Sequence, residues 1–79
     1  MPARIQFLKR KRCHLCEEAL AVLQRACQAR GLMFDLIDID DTPGYQAYSE
    51  QIPVLLVDGR KIFKYRFPEK RLARILDRI

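Results

Sequence analysis

Cys13-His14-Leu15-Cys16 sets two thiols at C-x-x-C spacing. Where such a pair opens a helix, the first sulfur faces unpaired backbone N–H groups and the positive end of the helix dipole. Both favour the thiolate, the reactive form of cysteine. The chemistry open to the pair is exchange: Cys13 attacks a disulfide, a mixed disulfide forms, and Cys16 acts second to release it. Lys11, Arg12 and a protonated His14 would each lower the Cys13 pKa, giving an expected value within roughly 3.5–7.5.

Zinc sites use the same spacing but need four ligands. His14 and Cys27 are the only further soft candidates. Cys27 falls 11 residues beyond Cys16 on the same helix face, hence ~16 Å away at ~1.5 Å per residue. It reads as a small apolar core residue. Asp38, Asp40 and Asp41 lack the remaining spacing of a calcium loop, so loop solvation and capping account for them. No metal site is expected.

These residues need elements to hold them. Arg4-Ile5-Gln6-Phe7-Leu8 alternates polar and apolar as a strand does. After the thiol pair, Cys16, Ala19, Leu20, Leu23, Ala26 and Cys27 recur at three- and four-residue steps, predicting a helix with one buried face. Gly31 closes it. Leu32 to Ile39 predicts a second strand, parallel to the first through a right-handed crossover. Asp41-Thr42-Pro43 reads as the cap of a short helix. Pro53 to Val57 is a continuous apolar run, the mark of a strand buried on both faces. Asp58-Gly59 turns it into an antiparallel return at Lys61-Ile62-Phe63. From Pro68, Leu72, Ile75, Leu76 and Ile79 form a helix stripe opposite Lys70, Arg71, Arg74 and Arg78. The predicted order is βαβαββα across one domain, residues 1–79.

The 79 residues are 49% hydrophobic, enough for a core without metal or disulfide staples. No apolar run is long enough for a bilayer, and residues 1–8 do not form a leader's apolar segment. Three cysteines argue against a secreted disulfide scaffold. A cytoplasmic monomer is the expectation. The net charge of +5 gathers at Lys9-Arg10-Lys11-Arg12 and on the last helix, which raises nucleic acid as a partner. Phe63-Lys64-Tyr65-Arg66-Phe67 interleaves rings with cations as a single-strand binder would. Its alternation instead turns some rings inward, so a nucleic-acid module is the lesser alternative.

Taken together, the strand, the Cys-His-Leu-Cys-Glu run at a helix start, the βαβ unit, Ile52-Pro53-Val54, the Asp58-Gly59 hairpin and the final helix resemble the glutaredoxins. That family lies within the thioredoxin superfamily. The likeness is greatest to short bacterial glutaredoxin-like proteins with Cys-His-Leu-Cys. It implies an α/β thioredoxin-like fold, a four-stranded mixed sheet with helices on both faces. It implies a thiol–disulfide oxidoreductase that reduces protein or glutathione mixed disulfides and binds no resident cofactor. Glutathione or a dedicated reductase would supply the electrons. Pro53 would be cis and lie against the thiols, the Ile52 backbone would pair with substrate, and Arg10 would grip a glutathione carboxylate. Where the family usually carries Gly-Gly and then a Ser/Thr/Cys-Asp pair that holds the γ-glutamyl end of glutathione, this chain has bulky, basic Phe63-Lys64-Tyr65-Arg66. A redox-inactive adaptor keeping only the fold is the remaining alternative.

Overall fold

The structure, a computed structural model, describes residues 3–79. Met1 and Pro2, the start of the stretch read above for a leader, lie outside the described residues. In chain order the elements are β1 (Ile5–Lys9), α1 (His14–Gln28), β2 (Asp35–Asp38), a single 3-10 turn (Gln46–Tyr48), β3 (Val54–Val57), β4 (Arg60–Lys64) and α2 (Glu69–Leu76). The sheet runs β2-β1-β3-β4. β1 and β2 are parallel, and β3 is antiparallel to both β1 and β4. The mixed four-stranded sheet and the βαβ unit are as the sequence implies.

Side-chain alternation divides the core in two. Ile5, Phe7, Leu55 and Phe63 face one way, onto Cys16, Ala19, Leu23 and Cys27 of α1 and Leu72 and Leu76 of α2. Leu23 and Leu72 are both fully enclosed, each contributing on the order of 1.5–3 kcal/mol by leaving water. Phe67 joins this cluster edge-on to Phe7, ring centroids 5.6 Å apart. Leu8, Val54, Leu56 and Ile39 face the other way, under Tyr45 and Tyr48.

That division corrects the expectation of helices on both faces. Both α-helices pack on one face and against each other, with Arg25–Glu69 and Arg30–Asp77 pairing across them at 2.8 and 2.6 Å. The second face is covered by the segment from residue 40 to residue 52. Its expected helix at Pro43 is only the one turn Gln46–Tyr48. Gly44 sits at φ 100° between Pro43 and that turn, where helical backbone cannot continue. The second strand is also shorter than expected. Leu32 still closes α1, its N–H bonding to the Cys27 carbonyl at 2.9 Å beyond a left-handed Gly31. Pairing with β1 then starts only at Asp35.

The Asp58-Gly59 turn forms with φ 53° and 81°. Positive φ at both central residues is what a two-residue hairpin between right-twisted strands requires. β3 is buried from Val54 through Leu56, so it sits centrally as its apolar run implies. No helix among the described residues is long and apolar enough to cross a membrane.

Candidate active site

Cys13 is the N-cap of α1, with extended backbone at φ −113° and ψ 103°. Its Sγ accepts the Cys16 backbone N–H at 3.1 Å. The sulfur thus takes the position that a Ser or Asp oxygen takes at other helix starts, on one of the donors the helix leaves unpaired. Cys13 and Cys16 are joined in a disulfide, their Cα atoms 5.1 Å apart. The two sulfurs differ in access. Cys13 is half-buried, whereas Cys16 lies on the core stripe at 3% exposure.

The turn from β1 into α1 is made at Arg12, which takes φ 58°. A non-glycine residue in the left-handed region is uncommon and persists where its surroundings hold it. The preceding residues supply that hold. Arg10 pairs through Nε with Asp40 at 3.2 Å and donates Nη1–H to the Ser49 carbonyl at 3.0 Å. Lys11 Nζ pairs with Asp41 at 2.9 Å and lies 3.9 Å from Asp38. The hydrogen bond and charge of Asp41, aided by Asp38, raise the Lys11 pKa and keep it cationic. Asp38 also accepts the Asp40 N–H at 3.0 Å, so one aspartate shapes the loop and the others anchor the thiol-bearing turn.

His14 is exposed, its ring nitrogens 3.8 Å from Glu17 and 3.5 Å from Glu18. Of the two, Glu17 lies in the first turn, where the helix dipole also favours it. The Ile52–Pro53 peptide bond is cis and Pro53 is buried at the entry to β3. Ile52 touches both core clusters, and Cys13 packs against the one beneath α1. Phe63 and Phe67 are core residues at 7% and 6% exposure. Of the three rings that raised the nucleic-acid alternative, only Tyr65 faces solvent, and a stacking platform is not formed.

Two recesses flank the first turn of α1. One is a small cleft of about 80 Å³ holding Cys13 and Cys16 with Lys9, Arg10, Arg12 and Glu17. The other is an open groove of about 290 Å³ between Leu15, Glu18, Ala19 and Val22 of α1 and the stretch Tyr65, Arg66, Phe67 and Pro68. Tyr65 walls that groove from a left-handed backbone, φ 67°. Its N–H bonds to the Pro53 carbonyl at 2.8 Å and its hydroxyl to the Glu50 carbonyl at 3.3 Å. Sequence reasoning missed Leu15 and Tyr65. The signal for Leu15 was an apolar residue off the buried stripe; Tyr65 stood out only as a ring among cations, and its neighbour across the groove is set by tertiary packing.

The chain is similar in sequence and in fold to known proteins. A family model described as a glutaredoxin-like domain (DUF836) matches residues 4–77. The X-ray structure of a structural-genomics target protein from X. campestris is 32% identical, covering 95% of this chain and 97% of that one at TM-score 0.74. Mitochondrial thioredoxin 3 from Saccharomyces cerevisiae, in its oxidised form, is 18% identical over 98% of this chain and 78% of that one, at TM-score 0.75. Thioredoxin 1 from Thermosipho africanus is 20% identical over 95% and 91%, at TM-score 0.69. The two thioredoxin likenesses carry the fold. No curated protein matches the sequence.

Proposed function

The chain belongs to the glutaredoxin-like domain family (DUF836), and from that premise we propose that it is a thiol–disulfide oxidoreductase acting through Cys13 and Cys16. One observation carries the reading. The paired sulfurs sit at a helix start with unequal access, the outer one accepting a helix N–H at 3.1 Å and the inner one buried.

In the reduced protein, the Cys13 thiolate attacks one sulfur of a substrate disulfide. A bond forms between Cys13 and that sulfur, and the other substrate sulfur leaves as a thiolate that takes up a proton. Cys16 then gives up its proton and attacks the Cys13 sulfur. The Cys13–Cys16 disulfide forms, the second substrate thiol departs, and two electrons have passed to the substrate. A thiol reductant restores the dithiol, with glutathione or a dedicated reductase as the candidate sources. Substrates are disulfide-bearing proteins or glutathione mixed disulfides in a cytoplasmic setting. His14, Lys11 and Arg12 would favour the Cys13 thiolate, Arg10 would contact a glutathione carboxylate, and Ile52 and Pro53 would border the bound substrate.

The test is reduction of a protein disulfide by the purified chain, with glutathione or dithiothreitol as electron source. The wild type should turn over and Cys13→Ser should not. A wild-type dithiol protein that reduces nothing with either donor would instead make this a redox-inactive adaptor.

A further inference from the structure

Resting on the exchange reading above, we propose that the substrate cysteine is borne on a polypeptide strand with an acidic residue on one flank and an apolar residue on the other. The two recesses beside the first turn of α1 differ in chemistry. The cleft holding the disulfide is lined by Lys9, Arg10 and Arg12 against one carboxylate, Glu17. Glu17 already faces His14 at 3.8 Å, and Arg10 is taken up by Asp40. Lys9 and Arg12 enter no ion pair among the described residues. Their charge is therefore available to an incoming anion, and the net +5 of the chain favours one.

The groove on the neighbouring stripe of α1 asks for something else. Leu15 and Tyr65 remain 37% and 42% exposed there; Phe67 and Pro68 add to a mainly apolar lining in which Glu18 and Arg66 are the charged members. An apolar side chain entering it would displace water from those surfaces. A nucleic acid offers phosphates but neither a disulfide nor an aliphatic side chain. Glutathione offers carboxylates and a sulfur but no apolar side chain. A polypeptide carries all three within a few residues, and α1 lines both recesses from neighbouring positions, Cys16 and Glu17 in one and Leu15 and Glu18 in the other.

The test uses short single-cysteine peptides, each presented to the reduced full-length protein as a mixed disulfide with mercaptoethanol. One carries Asp and Leu flanks, a second replaces Asp by Lys, and a third replaces Leu by Ser. The Asp/Leu peptide should react roughly five- to tenfold faster than the Lys peptide, a ratio that shrinks at high salt because the charges are partly exposed. It should outpace the Ser peptide about fivefold through partial burial of the leucine. In Lys9→Gln/Arg12→Asn the Asp-to-Lys ratio should fall toward one, Asn being chosen because it tolerates the left-handed backbone at Arg12. In Leu15→Ser the Leu-to-Ser ratio should fall in the same way. If those cations only tune the thiolate, every peptide slows alike and the ratios stand, which overturns the proposal. Equal wild-type rates, or a preference for oxidised glutathione over all three peptides, would also overturn it while leaving exchange intact. Absence of exchange with every peptide would defeat the oxidoreductase reading and this inference with it.

Discussion

Arg10 and Asp40, thirty residues apart in sequence, meet at 3.2 Å and fasten the turn before Cys13 to the loop after β2. The meeting follows from topology. β1 and β2 are parallel with Lys9 opposite Asp38, so the basic run leaving one strand and the acidic run leaving the other emerge at the same end of the sheet. Arg10–Asp40 and Lys11–Asp41 are the resulting pairs.

Removing the carboxylate should redirect Arg10 toward the cleft. In Asp40→Ala we expect exchange with oxidised glutathione to rise about two- to fivefold relative to a neutral small disulfide. The change in unfolding free energy should stay within about 1 kcal/mol, as for other half-exposed pairs. An unchanged rate ratio would mean that the guanidinium stays on Ser49 and plays no part in binding anions.

The unequal access of the two sulfurs gives the cysteine variants different signatures. Cys16→Ser should accumulate a covalent adduct with oxidised glutathione, seen by intact mass, while Cys13→Ser should accumulate none. Turnover should be lost in Cys13→Ser and reduced to a monothiol remnant in Cys16→Ser. Adducts of equal yield on both variants would reverse the assignment of attacking and resolving thiols.

Cys27 is a thiol of another kind. Burial pushes its pKa up, only partly offset by the nearby Arg30 charge. In the reduced native protein at neutral pH, iodoacetamide should modify Cys13 at least about tenfold faster than Cys27, and all three cysteines should react alike in denaturant. The folded chain holds the Cys27 proton more tightly than the unfolded chain does. Stability should therefore fall as pH rises through about 8.5, the unfolded thiol value. Cys27→Ala should lack that part of the alkaline decline in a pH series of thermal melts.

Asp77 gives the opposite limb. The hydrogen bond from Arg30 holds its carboxyl below the usual aspartate range. The stabilisation from this pair is present above the unfolded value of about 3.9 and is lost as pH falls through the lower native value. Asp77→Asn should thus melt below the wild type at pH 7, with the gap closing as the pH is taken toward 2. A gap that stays constant across that range would assign the loss to packing instead of charge.

Much of this arrangement could be read from residue order, for reasons that differ by element. The hairpin was legible because Asp58-Gly59 supplies the two positive φ values a tight turn demands. The α1 stripe was legible because burial of Cys16, Ala19, Leu23 and Cys27 recurs at the helical period. Thr42-Pro43 misled, since a cap and a proline start a helix only when an apolar stripe follows, and Gly44 intervenes instead. The left-handed backbones of Arg12 and Tyr65 had no local signal. Neither is a glycine: the residues just before Arg12 are tied to the loop after β2, and Tyr65 bonds to the Pro53 and Glu50 carbonyls. The site was legible in its thiols and not in its walls. Cys13 and Cys16 act through local spacing, whereas the groove joins residues about fifty positions apart.

The sheet is thickly roofed on one side only. On the other, residues 40–52 contribute no strand; beyond the Asp41 N–H to the Asp38 carbonyl at their start, their bonds to the rest of the molecule run through side chains such as Gln6 to Tyr45, Arg10 to Ser49 and Lys61 to Gln51. A flap secured in this way opens at lower free energy than the helices detach. Its amides should exchange with deuterated solvent well ahead of those in β1 and β3. Since it carries Ile52 and the Ser49 anchor of Arg10, breathing of that side would loosen the border of the thiol pair while the hydrophobic interior beneath α1 stays shut.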